Sequence, residues 1–263
     1  MLSTASRSIS GASNICMIEK FSVSQLNTFL QCPYAWQMLY IHKIKTPKSD
    51  NLFFGSAVHF GLESLYRGND PVEAIERYIR TDPLHERLPS FDTEKHIRDG
   101  KAMMELYLTK GPYLEPLMIE ERKTVDLVNP KTNESLPIPF TFRIDLLTQQ
   151  HQLVDFKTTK SNGTKQEDLN RHQGLGYYLA HRAMFEGQPP REFIQVSLIK
   201  QKIPKIVPLI VQYSLDEEVW FWNLAKKVLD MIARGEYRTA RPMVKSFYPC
   251  PVKDMCPVHA KRG

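Results

Sequence analysis

The sequence has no apolar run long enough to cross a membrane. No segment of the 263-residue chain approaches the roughly 18 to 20 consecutive apolar residues that a spanning helix requires. Hydrophobic side chains make up 42% and charged side chains 24% of the chain, which is an ordinary globular balance. A chain of this length and composition can bury a real core. We therefore expect one soluble domain with short additions and no membrane association.

Cysteine is also scarce. Four cysteines in a chain of this length are too few for the disulfide framework of a small secreted protein. The first 19 residues are rich in serine, carry Arg7, contain no acidic residue before Glu19, and lack the apolar core of a secretory signal. We interpret residues 1–19 as a disordered leader, 20–263 as the folded domain, and the location as cytoplasmic. An organellar transit peptide shares this composition and remains an alternative.

No phosphate-binding loop of the pattern GxxxxGK[ST] occurs in the chain, which argues against a nucleotide-driven motor. Internal repeats and low-complexity segments are also lacking. Lysine and arginine number 35 against 29 acidic residues, giving a net charge of +6 and an isoelectric point near 9.0. This excess favours a polyanionic partner without identifying one.

Helical and strand periodicities alternate along the chain. Ser22 and Ser24 can cap a first helix that Pro33 must bend or restart, and Ser214 with Glu217 forms a capping box for a last helix that ends at Gly235. Further helical patterns cover 52–66, 71–81, 93–109 and 167–185, and strand patterns cover 117–127, 138–147, 152–156, 193–200 and 206–213. The fold class expected is α/β (α+β), with a mixed central sheet flanked by helices.

Two acids and a lysine recur at a spacing that suits metal-dependent chemistry. Asp145 ends the segment Phe-Arg-Ile-Asp, and ten residues later Asp155 opens Asp-Phe-Lys, which contains Lys157. In a hairpin the two carboxylates can converge on one ion, while Lys157 faces the same side as Asp155. Hydrolysis of a phosphodiester needs a hard divalent ion such as Mg²⁺ or Mn²⁺ and a cation near the phosphoryl oxygens. A surface hairpin with scattered charges is the bland alternative.

Two helical patterns extend this constellation. His59 and Glu63 lie one helical turn apart, beside small residues that allow close approach. Gln173 and Tyr177 repeat that spacing on the helix after the Asp-Phe-Lys strand, where an amide and a phenol can meet a nucleic-acid backbone or brace the lysine. Ordinary helix packing is the alternative and suits Tyr177 better than Gln173.

Taken in order, these segments resemble the PD-(D/E)XK nuclease superfamily, in its branch of RecB-type and CRISPR-associated exonucleases. The resemblance spans about residues 21 to 258. It rests on five motifs in family order, namely Ser-Val-Ser-Gln-Leu with Gln-Cys-Pro-Tyr-Ala-Trp, the GxxxH helix, Arg-Ile-Asp, Asp-Phe-Lys-Thr-Thr and QxxxY. It implies a restriction-endonuclease-like core with an N-terminal helical segment and a C-terminal cysteine-containing segment.

The resemblance also implies roles for individual residues. His59, Asp145, Asp155 and the main-chain carbonyl of Phe156 would hold Mg²⁺ or Mn²⁺, Lys157 would be the catalytic lysine, and Gln173 and Tyr177 would form the QxxxY motif that meets substrate. The expected activity is a DNA nuclease, an exonuclease before an endonuclease, in repair, recombination or replication. Single strands or duplex ends would be its substrate, with a helicase as a possible partner. An inactive DNA-binding or assembly partner of a helicase–nuclease complex is the alternative.

Many members of that branch hold an iron–sulfur cluster with four cysteines. Cys32, Cys250 and Cys256 fit three of these positions, but the fourth position is Phe247. Cys16 or His259 would have to supply the missing ligand, and neither is well placed by rule. We therefore predict no stoichiometric cluster and packing of the three thiols as small apolar groups. Zinc is a further alternative.

Overall fold

The computed structural model describes residues 18–46, 49–82, 91–159 and 167–238, together with Cys250, Val252, Met255 and Cys256. The predictions for the leader up to residue 17, and those that involve Cys16, Phe247 and His259, lie outside the described residues. No helix within the described ranges is both long enough and apolar enough to span a membrane.

Five strands form one mixed sheet in the order β1-β2-β3-β4-β5. Strands β3 and β4 pair in parallel, and the other three pairs are antiparallel. The strands are β1 Pro116–Val125, β2 Phe140–Thr148, β3 Gln152–Thr159, β4 Glu192–Ile199 and β5 Lys205–Val211. The mixed sheet predicted from the sequence is confirmed.

Seven α-helices occur among the described residues, and a π-helical segment, Gln37–Ile41, continues the second of them. Ser22 caps the first helix by accepting the N–H of Gln25, and Ser214 forms the predicted capping box with Glu217. The helices are α1 Val23–Gln31, α2 Pro33–Trp36, α3 Asp50–Tyr66, α4 Pro71–Thr81, α5 Thr93–Lys110, α6 Glu167–Met184 and α7 Leu215–Ala233.

Helices cover both faces of the sheet. On one face α1, α6 and α7 pack against the strands and fully bury Phe140 and Phe221. On the other face α3 and α5 pack against the strands and α4 packs on these two helices, and Ile75, Val154 and Val196 are fully buried there. Large apolar side chains removed from water on both faces stabilise this three-layer arrangement. The packed sheet therefore holds the backbone of the strands that carry the polar side chains described below.

The pairing of β2 with β3 stops in the middle of β2. Leu147 pairs with Leu153 and Leu146 with Val154, and the pairing between the two strands ends there. Asp145 and Asp155 are next in this register, so they lie where the two strands part. The opening leaves room for side chains from helices on both faces of the sheet.

Candidate active site

Three ligand-type side chains converge above this opening. Nδ1 of His59 lies 3.6 Å from Oε1 of Glu120 and 3.6 Å from Oδ2 of Asp145. One ligand atom from each residue lies within 4.8 Å of the others, and within the described part of the chain no other group of histidine, cysteine or acidic residues meets this criterion. Imidazole nitrogen and carboxylate oxygen are suitable ligands for Mn²⁺, and carboxylates are the preferred ligands for Mg²⁺. The trio is therefore a candidate metal site.

Helix α3 brings His59 to the sheet because small residues face β3. A Cβ atom on Gly55, one turn before His59, would lie only 3.0 Å from Oγ1 of Thr158, so the helix backbone approaches the strand closely. On the next turn Glu63 pairs with Arg67 at 3.0 Å. The close approach at Gly55 brings His59, one turn later, near the strands.

Glu120 reaches the site through an unusual backbone conformation. Its φ is +51°, which is uncommon for a residue with a side chain. Arg67 donates to the carbonyl of Ile119 at 3.2 Å, and Nε of Arg143 lies 2.6 Å from Oε2 of Glu120. Both contacts hold the strained segment in place. Sequence reasoning missed Glu120, although the register of β1 with β2 sets it across from Asp145.

Asp145 is fixed by the main chain of β3. Its Oδ2 accepts the N–H of Phe156 at 2.8 Å, replacing a ladder bond where β2 and β3 part. Burial raises the pKa of Asp145 and the charge of Glu120 adds to the rise, while His59 opposes it. Burial likewise raises the pKa of Asp155 to about 6, against the opposing effect of Lys157. The site therefore concentrates negative charge that a bound cation would stabilise.

Asp155, Lys157 and Gln173 form a hydrogen-bonded triangle. Nζ of Lys157 donates to Oδ1 of Asp155 at 2.9 Å and to Oε1 of Gln173 at 3.0 Å. Nε2 of Gln173 donates to the same Asp155 oxygen at 2.7 Å. Tyr177, one turn along α6, donates to the carbonyl of Arg143 at 2.6 Å. The amide and phenol predicted to meet substrate or brace the lysine thus contact the lysine, its acid and the backbone of β2.

The surrounding carboxylates raise the pKa values of the two basic side chains, His59 and Lys157. Burial lowers the pKa of His59, but its hydrogen bond to Glu120 and the charges of Asp145 and Asp155 raise it above its usual value. Burial likewise lowers the pKa of Lys157, and the two aspartates more than compensate. Lys157 is therefore a protonated donor in the metal-free protein.

The other carboxylate oxygen of Asp155 has no hydrogen-bond partner among the described residues. The side chain is 1% exposed, and among the described residues its Oδ2 accepts no hydrogen bond. A buried carboxylate oxygen without a donor costs about 1 to 3 kcal/mol or more. A divalent cation would satisfy it, and together with the His59, Glu120 and Asp145 trio this makes the donor set suited to such an ion. Asp155 lies beside that trio rather than in it.

The trio borders an open cavity of about 620 Å³, which we call the metal cavity. Lys157, Phe156, Phe60 and Tyr78 also line it. A flexible polymer can enter such an open cleft. The predicted residues His59, Asp145, Phe156 and Lys157 therefore share one cavity, and Asp155 contacts Lys157 without lining the cavity.

Two of the three described cysteines, Cys32 and Cys250, lie in a separate apolar cluster. Cys32, Cys250 and Cys256 are all buried, and Cys32 and Cys250 pack with Ala35 and Val252. Burial raises the pKa of the Cys250 thiol, and the two other thiols add to this. Among the described residues, the three cysteines are not a group whose ligand atoms all lie within 4.8 Å of one another. Cys16 and His259, the candidates for a fourth ligand, lie outside the described residues, so the predictions on iron–sulfur and zinc stay predictions.

Comparison with known proteins identifies the family. No curated protein matches the chain. Among solved structures, a "putative exonuclease" from Eubacterium rectale covers 100% of this chain and 94% of its own, with a TM-score of 0.60 and 15% identity. SSO0001 covers 91% of this chain and 87% of its own, with a TM-score of 0.48 and 13% identity. The family model for the PD-(D/E)XK nuclease superfamily matches residues 20–257. The chain belongs to the PD-(D/E)XK nuclease superfamily.

Proposed function

We propose that the protein is a metal-dependent DNA nuclease that hydrolyses phosphodiester bonds, and that it acts as an exonuclease in DNA repair, recombination or replication. One observation carries this proposal. Three ligand-type groups, His59, Glu120 and Asp145, line one open cavity together with Lys157, whose ammonium group donates to the buried Asp155. This combination suits a reaction in which negative charge develops on a phosphoryl group.

His59, Glu120, Asp145 and Asp155 would hold Mg²⁺ or Mn²⁺, and we propose the main-chain carbonyl of Phe156 as a further ligand. A bound divalent ion lowers the pKa of water and stabilises charge on phosphoryl oxygens. Phe156 contributes in a second way, because its N–H fixes the orientation of the Asp145 carboxylate. Arg143 likewise fixes the orientation of the Glu120 carboxylate through their ion pair.

Lys157 would contact the phosphoryl group or the attacking water. An ammonium group has three N–H donors, and Asp155 and Gln173 occupy two of them. The third remains for a ligand in the cavity that Lys157 lines. Gln173 would act by positioning this lysine, and Tyr177 by fixing the main chain at Arg143. These contacts favour bracing over direct substrate contact for both residues.

Single-stranded DNA or the end of a duplex fits the proposal better than an intact duplex interior. The metal cavity is bordered by α3 and by the strained segment at Glu120, so the scissile phosphate must enter between two structural elements. A strand that is free of its complement enters such a cleft at the lowest cost in deformation. A helicase partner would supply exposed strands, because the chain carries no motor motif of its own. An inactive DNA-binding subunit is the competing function.

Cleavage of labelled DNA tests the proposal. End-labelled linear single strands and a circular single strand of the same sequence are incubated with Mg²⁺, Mn²⁺ or chelator. We expect metal-dependent shortening of the linear strand only. Asp145→Ala and Asp155→Ala should abolish it, and Glu121→Gln, which changes a neighbouring acid paired with Lys123, should not. Full cleavage by a folded Asp155→Ala protein in chelator would refute the metal mechanism, and cutting of the circle would refute the exonuclease.

A further inference from the structure

A second cavity adjoins the metal cavity on the far side of Lys157. It measures about 390 Å³, and Arg122, Arg143 and Lys157 line it. Not one of the described residues that line it is acidic. We call it the basic cavity. Lys157 and Arg143 border both cavities, so the two are neighbours.

One of the three cations that line this cavity, Arg122, has no acidic partner among the described residues, whereas Arg143 and Lys157 pair with Glu120 and Asp155. Arg122 and Arg143 lie directly opposite each other on β1 and β2, so both side chains project from the same face of the sheet. Like charges at directly opposed positions destabilise a sheet. Glu120 pairs with Arg143, whereas within the described residues no acid pairs with Arg122. An anion between α1 and the strands would remove this repulsion.

Neutral donors complete the cavity. The side chain of Asn27 turns its Oδ1 to Nδ1 of His172 at 2.6 Å, which leaves the amide N–H groups of Asn27 for another acceptor. Ser24 also lines the cavity, and its main-chain N–H lies in the first turn of α1, where no helical carbonyl is available to it. Guanidinium, amide and main-chain donors together match the oxygens of a phosphate group.

We propose that the basic cavity binds a backbone phosphate of the DNA strand next to the scissile one, with Arg122 as its principal ligand. This inference rests on the proposed nuclease function, because the neighbouring metal cavity would hold the scissile phosphate. The strand then runs past Lys157 from one cavity into the other. The phosphate is either internal or the terminal phosphate of the strand, and both present the same charged oxygens.

Binding of short single strands to Arg122→Ala tests the assignment. Measured with Ca²⁺ in place of Mg²⁺, the variant should bind about tenfold more weakly than wild type. A plot of log affinity against log salt concentration should become less steep by about 0.7, which is the change expected for one lost phosphate contact on a single strand. The affinity of Arg122→Lys should lie between those of wild type and Arg122→Ala. Lys123→Ala, the matched control, removes a neighbouring strand cation that pairs with Glu121 and should leave affinity and slope unchanged.

Substitution of single phosphates by neutral methylphosphonates tests the same contact without altering the protein. In wild type one position near the cleavage site should weaken binding strongly, and in Arg122→Ala the same replacement should have no further effect. Strands with a 5′-phosphate, a 3′-phosphate or no terminal phosphate distinguish the sources. Dependence on Arg122 only with one terminal phosphate assigns the cavity to a strand end, and dependence with all strands assigns it to an internal phosphate.

Kinetics separates this role from catalysis. Arg122→Ala should raise KM about tenfold and change kcat less than about twofold, because the phosphate is held equally in the ground and transition states. Wild-type affinity and salt slope in Arg122→Ala would overturn the phosphate site. If the wild-type protein cuts no DNA at all, the proposed function fails, while the salt and methylphosphonate measurements still decide whether the basic cavity binds phosphate.

Discussion

Oδ2 of Asp145 accepts the main-chain N–H of Phe156 at 2.8 Å, at the point where β2 and β3 cease to pair. The bond links a candidate metal ligand to the strand that carries the next acid and the lysine. A displacement of β3 would therefore move Asp145, Asp155 and Lys157 together. The opening between the strands admits His59 from one face of the sheet and Gln173 from the other.

Divalent metal should stabilise the fold in a pH-dependent manner. The pKa of Asp155 is raised to about 6 by burial, so its charge destabilises the metal-free fold as pH rises through 6. Mg²⁺ or Mn²⁺ would offset that charge, at about 2.7 kcal/mol when the ion is present at 100 times its Kd. Thermal unfolding with and without Mg²⁺ should show a larger rise in Tm at about pH 7.5 than at about pH 5.

Asp145→Asn serves as the control for this effect, because it removes a ligand charge and keeps the shape of the side chain. Its Tm should respond little to Mg²⁺ at either pH. An equal metal-dependent rise in Asp145→Asn and wild type would place the stabilising ion elsewhere on the protein.

Removal of Lys157 should reduce turnover more than binding. Lys157→Ala should lower kcat by roughly two to four powers of ten, because its charge acts where negative charge develops. Affinity for single strands, measured with Ca²⁺, should change little. Lys200→Ala is a matched control, since this lysine pairs with Asp99 at 2.9 Å and lines neither cavity. Equal losses in kcat and affinity would make Lys157 a backbone anchor rather than a catalytic group.

The periodic elements and the motif acids could be predicted from the sequence, because local spacing encodes them. The helix 93–109 and the strand 138–147 match α5 and β2 closely. Glu120 could not be found in this way, since its contact with His59 depends on long-range pairing of β1 with β2 and on a positive φ that no motif announces. The parallel pairing of β3 with β4 is likewise a property of the folded chain.

The backbone conformation of Glu120 should lower the stability of the fold, although its carboxylate is needed for cleavage. With φ at +51°, any side chain costs about 1 kcal/mol relative to glycine at this position. Glu120→Gly should therefore be more stable to urea than Glu120→Ala by about that amount, while both variants lose metal-dependent cleavage. Equal stability of the two variants would mean that the backbone at residue 120 is unstrained in solution.

Cysteine chemistry tests the prediction that no stoichiometric iron–sulfur cluster forms. Protein prepared without oxygen should be colourless. Its iron content should lie well below that of a full cluster, which is about four irons per chain. Cys32→Ser should then cost about 1 kcal/mol, as expected for a small buried side chain. A brown protein with full iron would refute the prediction, and Cys16→Ser and His259→Ala would then identify the fourth ligand by which of them loses the iron.

Two histidines far from the metal cavity should make the fold sensitive to acid. Nδ1 of His151 lies 2.9 Å from Nε2 of His181, and Nδ1 of His181 lies 3.0 Å from the carbonyl of Gln188. A carbonyl only accepts, so His181 carries its proton on Nδ1 and accepts from His151 through Nε2. Burial, together with the charges of His151 and Arg182, lowers the pKa of His181 to about 4. Protonation would set two N–H groups against each other.

The sign of the effect follows from proton uptake. In the unfolded chain His181 binds a proton below about pH 6.5, whereas in the folded chain it does so only below about pH 4. The contribution of neutral His181 to the free energy of unfolding is therefore fully present above about pH 6.5 and is lost as pH falls from about 6.5 to about 4. The loss is at most about 3 kcal/mol. Urea unfolding at about pH 7.5 and about pH 5 should show a smaller loss in His181→Gln than in wild type, whereas His42→Gln, an exposed histidine, should behave as wild type. If His181→Gln loses as much stability at low pH as wild type, another group must be responsible for the acid sensitivity.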